Sequence, residues 1–328
     1  MKNNPYISII IIAYNRKEFL LDAFNSALNQ TLDRSKYEII VTKNFRDNKI
    51  DSYIKKNGGK LVFFDKPGIG PRIADALKYA NGEVICFLED DDLFTNEKLE
   101  LVYRLFKDNK ALAYYRHNYC AIDENGKILK GFKYGISNKK LYFNQKDRSE
   151  VYRFILGNLY FNTSTTCIKK AIILKQKNNL NKLFYNPDDF WAYSSLSSGF
   201  HLLCDVRVLS KYRIHNNNIS FTIDQHNEYN THSKKILKNL FKKAKAHKLL
   251  NAVLEAKSIR FELDHKILNN EKITFRQTIN YLHLYSIPYF LYFHKIDFFA
   301  FLVLLSLFDG KLARDILRRR ITNTRRIN

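Results

Sequence analysis

Four consecutive acidic side chains, Glu89, Asp90, Asp91 and Asp92, are the residues of this chain best suited to chemistry. We call them the strand-end acids, because they follow an apolar run over residues 84–88 that is typical of a strand buried in a parallel sheet. Like charges this close raise one another's pKa values unless a cation neutralises them, and carboxylate oxygens suit Mg²⁺ or Mn²⁺ holding a phosphate. The pattern predicts either a divalent-metal site or a solvated turn that caps a helix over residues 93–106.

A second acidic pair, Asp188 and Asp189, lies far along the chain and directly follows Pro187. We call this pair the helix acids. A carboxylate there could take a proton from an attacking hydroxyl group. Position alone favours a simpler role, in which the pair caps a helix predicted over residues 190–196.

An alternation of strands and helices positions the strand-end acids. Strands are predicted over residues 6–13, 38–42, 60–64 and 84–88, helices over residues 17–30, 50–56 and 72–80, and a rigid loop over residues 67–71. This order is typical of a doubly wound α/β layer with a mainly parallel sheet. In such sheets ligands bind beyond the carboxyl ends of the strands, which is where Tyr14, Asn15 and the strand-end acids fall.

After the strand-end acids, the pattern of apolar residues along the chain changes twice. Short apolar runs over residues 111–115, 165–168 and 202–208 predict a mixed or antiparallel extension of the sheet, with a turn at residues 123–126. From Glu228 onward the apolar spacing is helical. An apolar run over residues 287–308 is too interrupted to span a bilayer, and arginines follow it. These features predict either contact with an anionic membrane surface or a helical hairpin packed on the core.

Composition limits the classes of protein that remain. The hydrophobic content of 45% is ample for a packed core and argues against a disordered chain, and the net charge of +23 requires a partner or surface of opposite charge. Nucleic acid, anionic lipid and nucleotide phosphates all qualify. Four widely spaced cysteines predict reduced thiols without zinc or disulfides. No signal peptide is visible, so we expect the catalytic part in the cytoplasm, free or peripheral on the cytoplasmic face of the membrane.

Several motifs in a fixed order resemble the family 2 glycosyltransferases. They are SIIIIAYNR over residues 8–16, LNQT over 28–31, EIIV over 38–41, ANGEVICFLEDDDLF over 80–94 with KLE over 98–100, the helix acids, Gly199, YRIH over 212–215 and Ser220. The resemblance covers roughly residues 5–220 and is more specific than any single motif. It implies a GT-A fold, α/β with a doubly wound, mainly parallel sheet flanked by helices, and a C-terminal helical extension outside the family pattern.

The resemblance also implies a reaction, which is the inverting transfer of a sugar from a UDP- or GDP-linked donor to a glycan or lipid-linked acceptor. It implies Mn²⁺ or Mg²⁺ as the cofactor and the following roles. The metal ligands are Asp91, Asp92 and His215; the nucleotide-sugar is bound by Ala13, Tyr14, Asn15, Asn44, Arg72, Asp90 and Arg213; the general base is Asp189. His215 has a simpler alternative as a surface histidine, and Asn15 as a turn residue.

Two positions depart from the family pattern. Lys43 and Asn44 stand where the family usually has an acidic pair that recognises the nucleotide base; Asn44 retains a hydrogen-bond acceptor there, whereas Lys43 does not. Glu89 stands where Asp is commoner, a change we expect the site to tolerate. Acceptor contacts are expected from loops around residues 162–166 and from the C-terminal helices.

These inferences divide the chain into a catalytic domain over residues 1–222 and a basic helical extension over residues 223–328. The nucleotide-sugar half of the domain covers about residues 1–110 and the acceptor half about residues 111–222. Two other classes stay open. One is a catalytically silent relative, supported by the change at Lys43 and Asn44. The other is a basic nucleic-acid-binding protein, against which acids at the predicted binding edge argue, because they repel phosphate.

Overall fold

A computed structural model describes residues 4–130, 139–143, 154, 162–184, 187–215, 234–241 and 271–283, together with isolated helical positions between 251 and 269 and between 303 and 316. The chain divides into two compact units. The first comprises Met1–Gln145 and Leu159–Asn216, and the second comprises Lys146–Asn158 and Asn217–Asn328. The domain boundary expected at residue 222 stays a prediction.

Within the described part of the first unit, nine strands form one sheet. They are β1 (Ile7–Ile12), β2 (Tyr37–Lys43), β3 (Lys60–Phe63), β4 (Val84–Glu89), β5 (Leu93–Phe94), β6 (Leu112–Ile122), β7 (Leu141–Phe143), β8 (Thr166–Lys169) and β9 (His201–Arg213). Their spatial order is β3-β2-β1-β4-β8-β6-β9-β5, with β7 paired to β9. The first four are parallel neighbours, which confirms the doubly wound layer, and β8 then joins β4 antiparallel, which confirms the mixed extension.

Helices flank this sheet, and the second unit also contains helices. Those of the first unit are α1 (Leu20–Leu28), α2 (Asn48–Lys56), α3 (Ile69–Ala76), α4 (Lys98–Asp108), α5 (Lys170–Lys175), α6 (Lys177–Leu180) and α7 (Pro187–Leu196). In the second unit, α8 (Lys234–Phe241) and α9 (Phe275–Tyr281) agree with the helical reading from Glu228 onward. Most of the apolar run over residues 287–308, and the arginine cluster after it, lie outside the described residues. Among the residues that are described, none of the helices combines the length and apolarity that crossing a bilayer requires.

The two central strands, β1 and β4, are buried almost throughout. Ile7, Ile9 and Ile11 pack with side chains of α1 and α4, such as Phe24 and Val102. Full burial of each apolar side chain of this size contributes roughly 1.5–3 kcal/mol. The parallel pairing brings Ile12 opposite Glu89. The core therefore fixes the carboxyl ends of β1 and β4 side by side, and with them the residues that follow each strand.

Two local predictions were wrong. Leu93 and Phe94 do not begin a helix, because they pair antiparallel with Lys211 and Ser210 of β9, and the helix begins only at Lys98. The segment predicted as a rigid loop over residues 67–71 instead enters α3 at Ile69. Pro71 is tolerated in the first turn of that helix, where its missing N–H would have no intrahelical partner.

Candidate active site

Three of the four strand-end acids lie inside the protein, and the fourth, Glu89, is partly exposed. Asp90, Asp91 and Asp92 have only 0–4% of their surface exposed, so the solvated-turn interpretation does not hold. Burial, followed by the charge of Asp91, raises the pKa values of Asp90 and Asp92 to about 7. Burial and the neighbouring carboxylates likewise raise the pKa of Glu89 well above its usual value. Such a cluster resists full ionisation unless cations compensate it.

Arg16 supplies part of that compensation, and sequence reasoning did not single it out. Its Nη2 lies 2.7 Å from Asp91 Oδ2 and forms an ion pair with Asp90 as well. Although burial alone would lower the pKa of Arg16, the hydrogen bond to Asp90 and the charges of Asp91 and Asp90 raise it. The available signal was its position, since Arg16 directly follows Tyr14 and Asn15 at the carboxyl end of β1.

Carboxylate oxygens of Glu89, Asp91 and Asp92 all come within 4.8 Å of one another. The Oδ1 atom of Asp91 is buried and has no hydrogen-bond partner, although burial of such an atom is costly. Its Oδ2 atom lies 3.0 Å from Nε2 of His215, which is itself buried and therefore not a surface histidine. A set of hard oxygen ligands around one unsatisfied carboxylate fits a Mg²⁺ or Mn²⁺ ion.

Asp92 is held by its own neighbours. Its carboxylate accepts hydrogen bonds from the backbone N–H of Arg213 at 3.0 Å and from the side-chain amide of Asn162 at 3.1 Å. The guanidinium of Arg213 donates to the backbone carbonyls of Asp91 at 2.8 Å and Glu124 at 2.6 Å. These contacts brace the acidic segment, and a direct contact between Arg213 and the donor stays a prediction.

The residues predicted to line the nucleotide pocket gather at the adjoining ends of β1 and β2. The backbone N–H of Ala13 donates to the carbonyl of Thr42 at 2.9 Å, which joins the two strand ends. Asn15 has a positive φ of 54°, and its N–H donates to Asn44 Oδ1 at 2.8 Å while Asn44 donates back to Asn15 Oδ1 at 2.6 Å. Asn15 is thus a turn residue that also ties the end of β1 to Asn44 after β2.

Tyr14 and Arg72, two further residues predicted to bind the nucleotide-sugar, contact each other. The tyrosine ring is 41% exposed, and the Arg72 guanidinium carbon lies 4.1 Å from its centroid. Arg72 itself is only 3% exposed, and its Nε has no hydrogen-bond partner. Burial lowers the pKa of this guanidinium, as expected for a cation held in a site with little counter-charge.

Lys43, where the family has an acid, turns into the protein. Its Nζ pairs with Asp51 at 2.7 Å and donates to the backbone carbonyl of Phe45 at 2.5 Å. The side chain is buried, and its charged group interacts with α2 and with the loop after β2. Of the two departing positions, only Asn44 contacts the predicted nucleotide pocket, through Asn15.

The helix acids lie within the first turn of α7, which begins at Pro187, so neither of them precedes the helix as a cap. A helix N-terminus favours carboxylates, because its free N–H groups and its dipole are positive. Asp188 accepts a hydrogen bond from the Thr163 hydroxyl. Burial, with a smaller contribution from the charge of Asp189, raises the pKa of Asp188 to about 7. Asp189 is 6% exposed and therefore also lies within the structure.

A short 3₁₀ turn, Thr163–Thr165, connects the two acidic regions. Asn162, its cap, donates to Asp92, and Thr163 donates to Asp188. The hydroxyl of Ser164 accepts the backbone N–H of Glu89 at 3.0 Å. The side chains of residues 162–166 are buried, and the expectation that acceptor contacts come from this region stays a prediction. In the structure these residues hold the strand-end acids and the helix acids together.

Comparisons with known proteins agree with this geometry. The family model "Glycosyl transferase family 2" matches residues 8–178. An uncharacterized glycosyltransferase of Rickettsia bellii is 29% identical over 225 residues, covering 66% of this chain and 30% of that protein. One of Methanocaldococcus jannaschii is 28% identical over 225 residues, covering 65% of this chain and 72% of that protein. The chain thus spans about a third of the length of several Rickettsia relatives, including that of Rickettsia conorii at 33%.

Solved structures show the same fold at low sequence identity. S. aureus TarS (residues 1–349) superposes with a TM-score of 0.60 at 16% identity, covering 86% of this chain and 80% of that one. The same protein in complex with UDP-GlcNAc gives a TM-score of 0.61 at 12% identity, covering 95% and 91%. The fold is therefore of the GT-A type, as the sequence resemblance implied.

Proposed function

The chain belongs to glycosyl transferase family 2, and from this premise we propose an inverting, metal-dependent transfer of a sugar from a nucleotide-sugar to a glycan or lipid-linked acceptor. We propose a UDP-linked donor over a GDP-linked one, because the similar S. aureus TarS structures contain UDP-GlcNAc or UDP. The ion is proposed to be Mn²⁺ or Mg²⁺.

One observation carries the proposal, namely the buried Asp91 carboxylate with an unpartnered Oδ1 among other carboxylates at the carboxyl ends of β1 and β4. A purely structural carboxylate would have both oxygens satisfied by the protein. In an open α/β sheet, this edge is where a ligand binds. Asp91, with Asp92, Glu89 and His215 as further candidates, would hold a divalent cation that neutralises the charge of a leaving diphosphate.

The remaining residues divide the work of binding and proton transfer. Arg72, buried and with an unpartnered Nε, offers N–H donors to the donor's phosphates, and the exposed Tyr14 ring offers a surface for its base. Asp189 takes the proton of the acceptor hydroxyl as that oxygen attacks the anomeric carbon. A single direct displacement needs no carboxylate nucleophile. One carboxylate on the acceptor side, acting as the general base, is therefore sufficient.

The acceptor is proposed to carry negative charge. The net charge of +23 favours an anionic substrate or surface, such as a phosphate-containing glycan or a lipid-linked glycan at the cytoplasmic face of a membrane. A relative from Bacillus spizizenii, named poly(ribitol-phosphate) beta-glucosyltransferase, is 33% identical over 112 residues, covering 32% of this chain and 18% of that protein. Its name supports testing phosphate-containing polymers first.

The test is a binding and turnover screen on the purified chain. UDP- and GDP-sugars are added with and without Mn²⁺, and thermal stability and nucleotide release are measured. We expect a UDP-sugar to raise the melting temperature only with the metal, because the ion and the diphosphate bind together. Absence of any stabilisation by nucleotide, with or without metal, would support a catalytically silent protein instead.

A further inference from the structure

Arg16 lies between the two groups that are proposed to hold the metal. Its Nη2 lies 2.7 Å from Asp91 Oδ2, and its Nη1 lies 3.1 Å from His215 Nε2. The same His215 nitrogen lies 3.0 Å from Asp91 Oδ2. One guanidinium thus contacts both a carboxylate oxygen and an imidazole nitrogen that also face each other.

This three-way contact cannot satisfy all of its members. An imidazole nitrogen either donates a proton or accepts one. If Nε2 of His215 carries the proton, it donates to Asp91 and meets the N–H of Arg16 as one donor facing another. If Nε2 carries its lone pair, it accepts from Arg16 and meets the Asp91 oxygen as one acceptor facing another.

A metal ion at the same place would remove this conflict. Both the lone pair of His215 Nε2 and the Oδ2 atom of Asp91 can point at one cation, since nitrogen and oxygen are both ligands of Mn²⁺. The second oxygen of Asp91, Oδ1, is buried without a partner and is a further ligand atom. Arg16 therefore stands where a divalent cation would satisfy the surrounding atoms better.

We propose that Arg16 is a built-in counter-cation of the metal site, which a divalent ion displaces and which then binds the donor's diphosphate. This inference rests on the proposed function and deepens it. The Arg16 side chain is 17% exposed, so it reaches the surface of the site. Its planar guanidinium matches phosphate oxygens as well as carboxylates. A displaced Arg16 thus gains a new anion only when the nucleotide arrives with the metal.

The consequence is coupling between metal and nucleotide. In the absence of nucleotide, Mn²⁺ must break the contacts of Arg16 with Asp90 and Asp91 without any compensating contact, and it binds weakly. With a diphosphate present, the guanidinium exchanges one anion for another. Because such coupling is reciprocal, the metal must tighten nucleotide binding by the same factor by which the nucleotide tightens metal binding.

The experiment titrates the full chain with Mn²⁺, with and without UDP, and follows the signal of free Mn²⁺ by electron paramagnetic resonance. The variants are Arg16→Met, which keeps the side-chain length without the charge, and Lys17→Met as the matched control. Lys17 is the adjacent cation, is 62% exposed and pairs with Asp47.

We expect Arg16→Met to bind Mn²⁺ alone about tenfold more tightly than the wild type, since an internal competitor is removed from a buried site. We expect UDP to tighten Mn²⁺ binding less in that variant, and Lys17→Met to behave as the wild type.

Unaltered or weaker Mn²⁺ binding by Arg16→Met would overturn the inference, while joint binding of UDP and Mn²⁺ by the wild type would leave the proposed function standing. Failure of both wild type and variant to bind Mn²⁺, with or without UDP, would overturn the metal-dependent function and the inference with it.

Arg16→Lys covers the case in which Arg16→Met does not fold. Lysine keeps the charge but lacks the guanidinium fork, so its Mn²⁺ affinity should lie between those of wild type and Arg16→Met; an affinity below the wild type's would contradict the competition.

Discussion

The strand-end acids and the helix acids both include buried carboxylates, but their surroundings differ. Around the strand-end acids, Arg16 forms ion pairs with Asp90 and Asp91, and Asp91 keeps one unpartnered oxygen. Around the helix acids, Asp188 accepts a hydrogen bond from the neutral hydroxyl of Thr163, and burial raises the pKa of Asp188 to about 7. Raised pKa values are common to both regions, since Asp90 and Asp92 also reach about 7. The difference lies in the cationic side chain that pairs with the strand-end acids and the neutral hydroxyl that donates to Asp188.

In the function proposed above, this difference separates two chemical tasks within one family 2 glycosyltransferase fold. A leaving diphosphate needs positive charge, which carboxylates provide only by holding a cation. An attacking hydroxyl needs a base whose pKa lies near the working pH. We propose that the surroundings assign the two tasks, because the side chains in both places are of the same kind. The predictions below test whether the two regions can be disabled separately.

The largest effect is expected from Asp91→Asn. Loss of this ligand should lower the rate of sugar transfer by a factor on the order of 10³ to 10⁴, because metal stabilisation of the leaving group is worth several kcal/mol. Stabilisation by Mn²⁺ with UDP in thermal unfolding should also disappear. Glu100→Gln, which removes a partly exposed acid of α4 that pairs with Arg104, is the control and should retain both properties. Retention of metal-dependent activity by Asp91→Asn would remove Asp91 from the centre of the site.

Asp189→Asn should lower kcat by roughly a hundredfold to a thousandfold, which is the usual contribution of a general base. The dissociation constant of UDP measured by calorimetry should stay within error of the wild type, since the helix acids are not expected to hold the donor. A loss of UDP binding together with kcat would mean that the two regions do not act separately.

His215→Gln should weaken Mn²⁺ binding by about tenfold to a hundredfold, in the range seen when a supporting metal contact is lost. Excess Mn²⁺ should restore most of the activity, because the variant keeps Asp189. An equal loss of activity at saturating Mn²⁺ would indicate that His215 serves the transfer step itself.

Asp188→Asn is expected to change the rate only a few-fold and to change the pH dependence of stability more clearly. The folded-state pKa of Asp188 lies at about 7, above its ordinary value of 3.8, so the folded protein binds this proton more strongly than the unfolded chain. The contribution of protonated Asp188 to the free energy of unfolding is therefore lost as pH rises from 3.8 to about 7. The free energy of unfolding of the variant, measured by denaturant titration, should fall less over the same interval. Parallel curves for variant and wild type would show that Asp188 is not protonated in the fold.

The sequence predicted the parallel layer, the mixed extension and the acidic edge because local patterns determine them. A run such as residues 7–12 carries its own evidence for a buried strand. Arg16 was missed because its importance comes from contacts with residues 74 and 199 positions away, which no local pattern reveals. The pairing of Leu93 with Lys211 was missed for the same reason. Lys43 showed a departure in the sequence, but only the fold reveals its partner, Asp51.

The turn at Thr163–Thr165 fixes more than local geometry. The carbonyl of Ser164 also accepts hydrogen bonds from the buried Lys98 at 2.7 Å and from Ser210 at 2.9 Å, so α4 and β9 are tied to the same peptide group. A single buried segment therefore fixes the strand-end acids relative to the helix acids, and with them the proposed metal ligands relative to the proposed base. Substitutions in the surrounding loops could therefore change the sugar or the acceptor, while this segment keeps the distance between the two acidic regions constant.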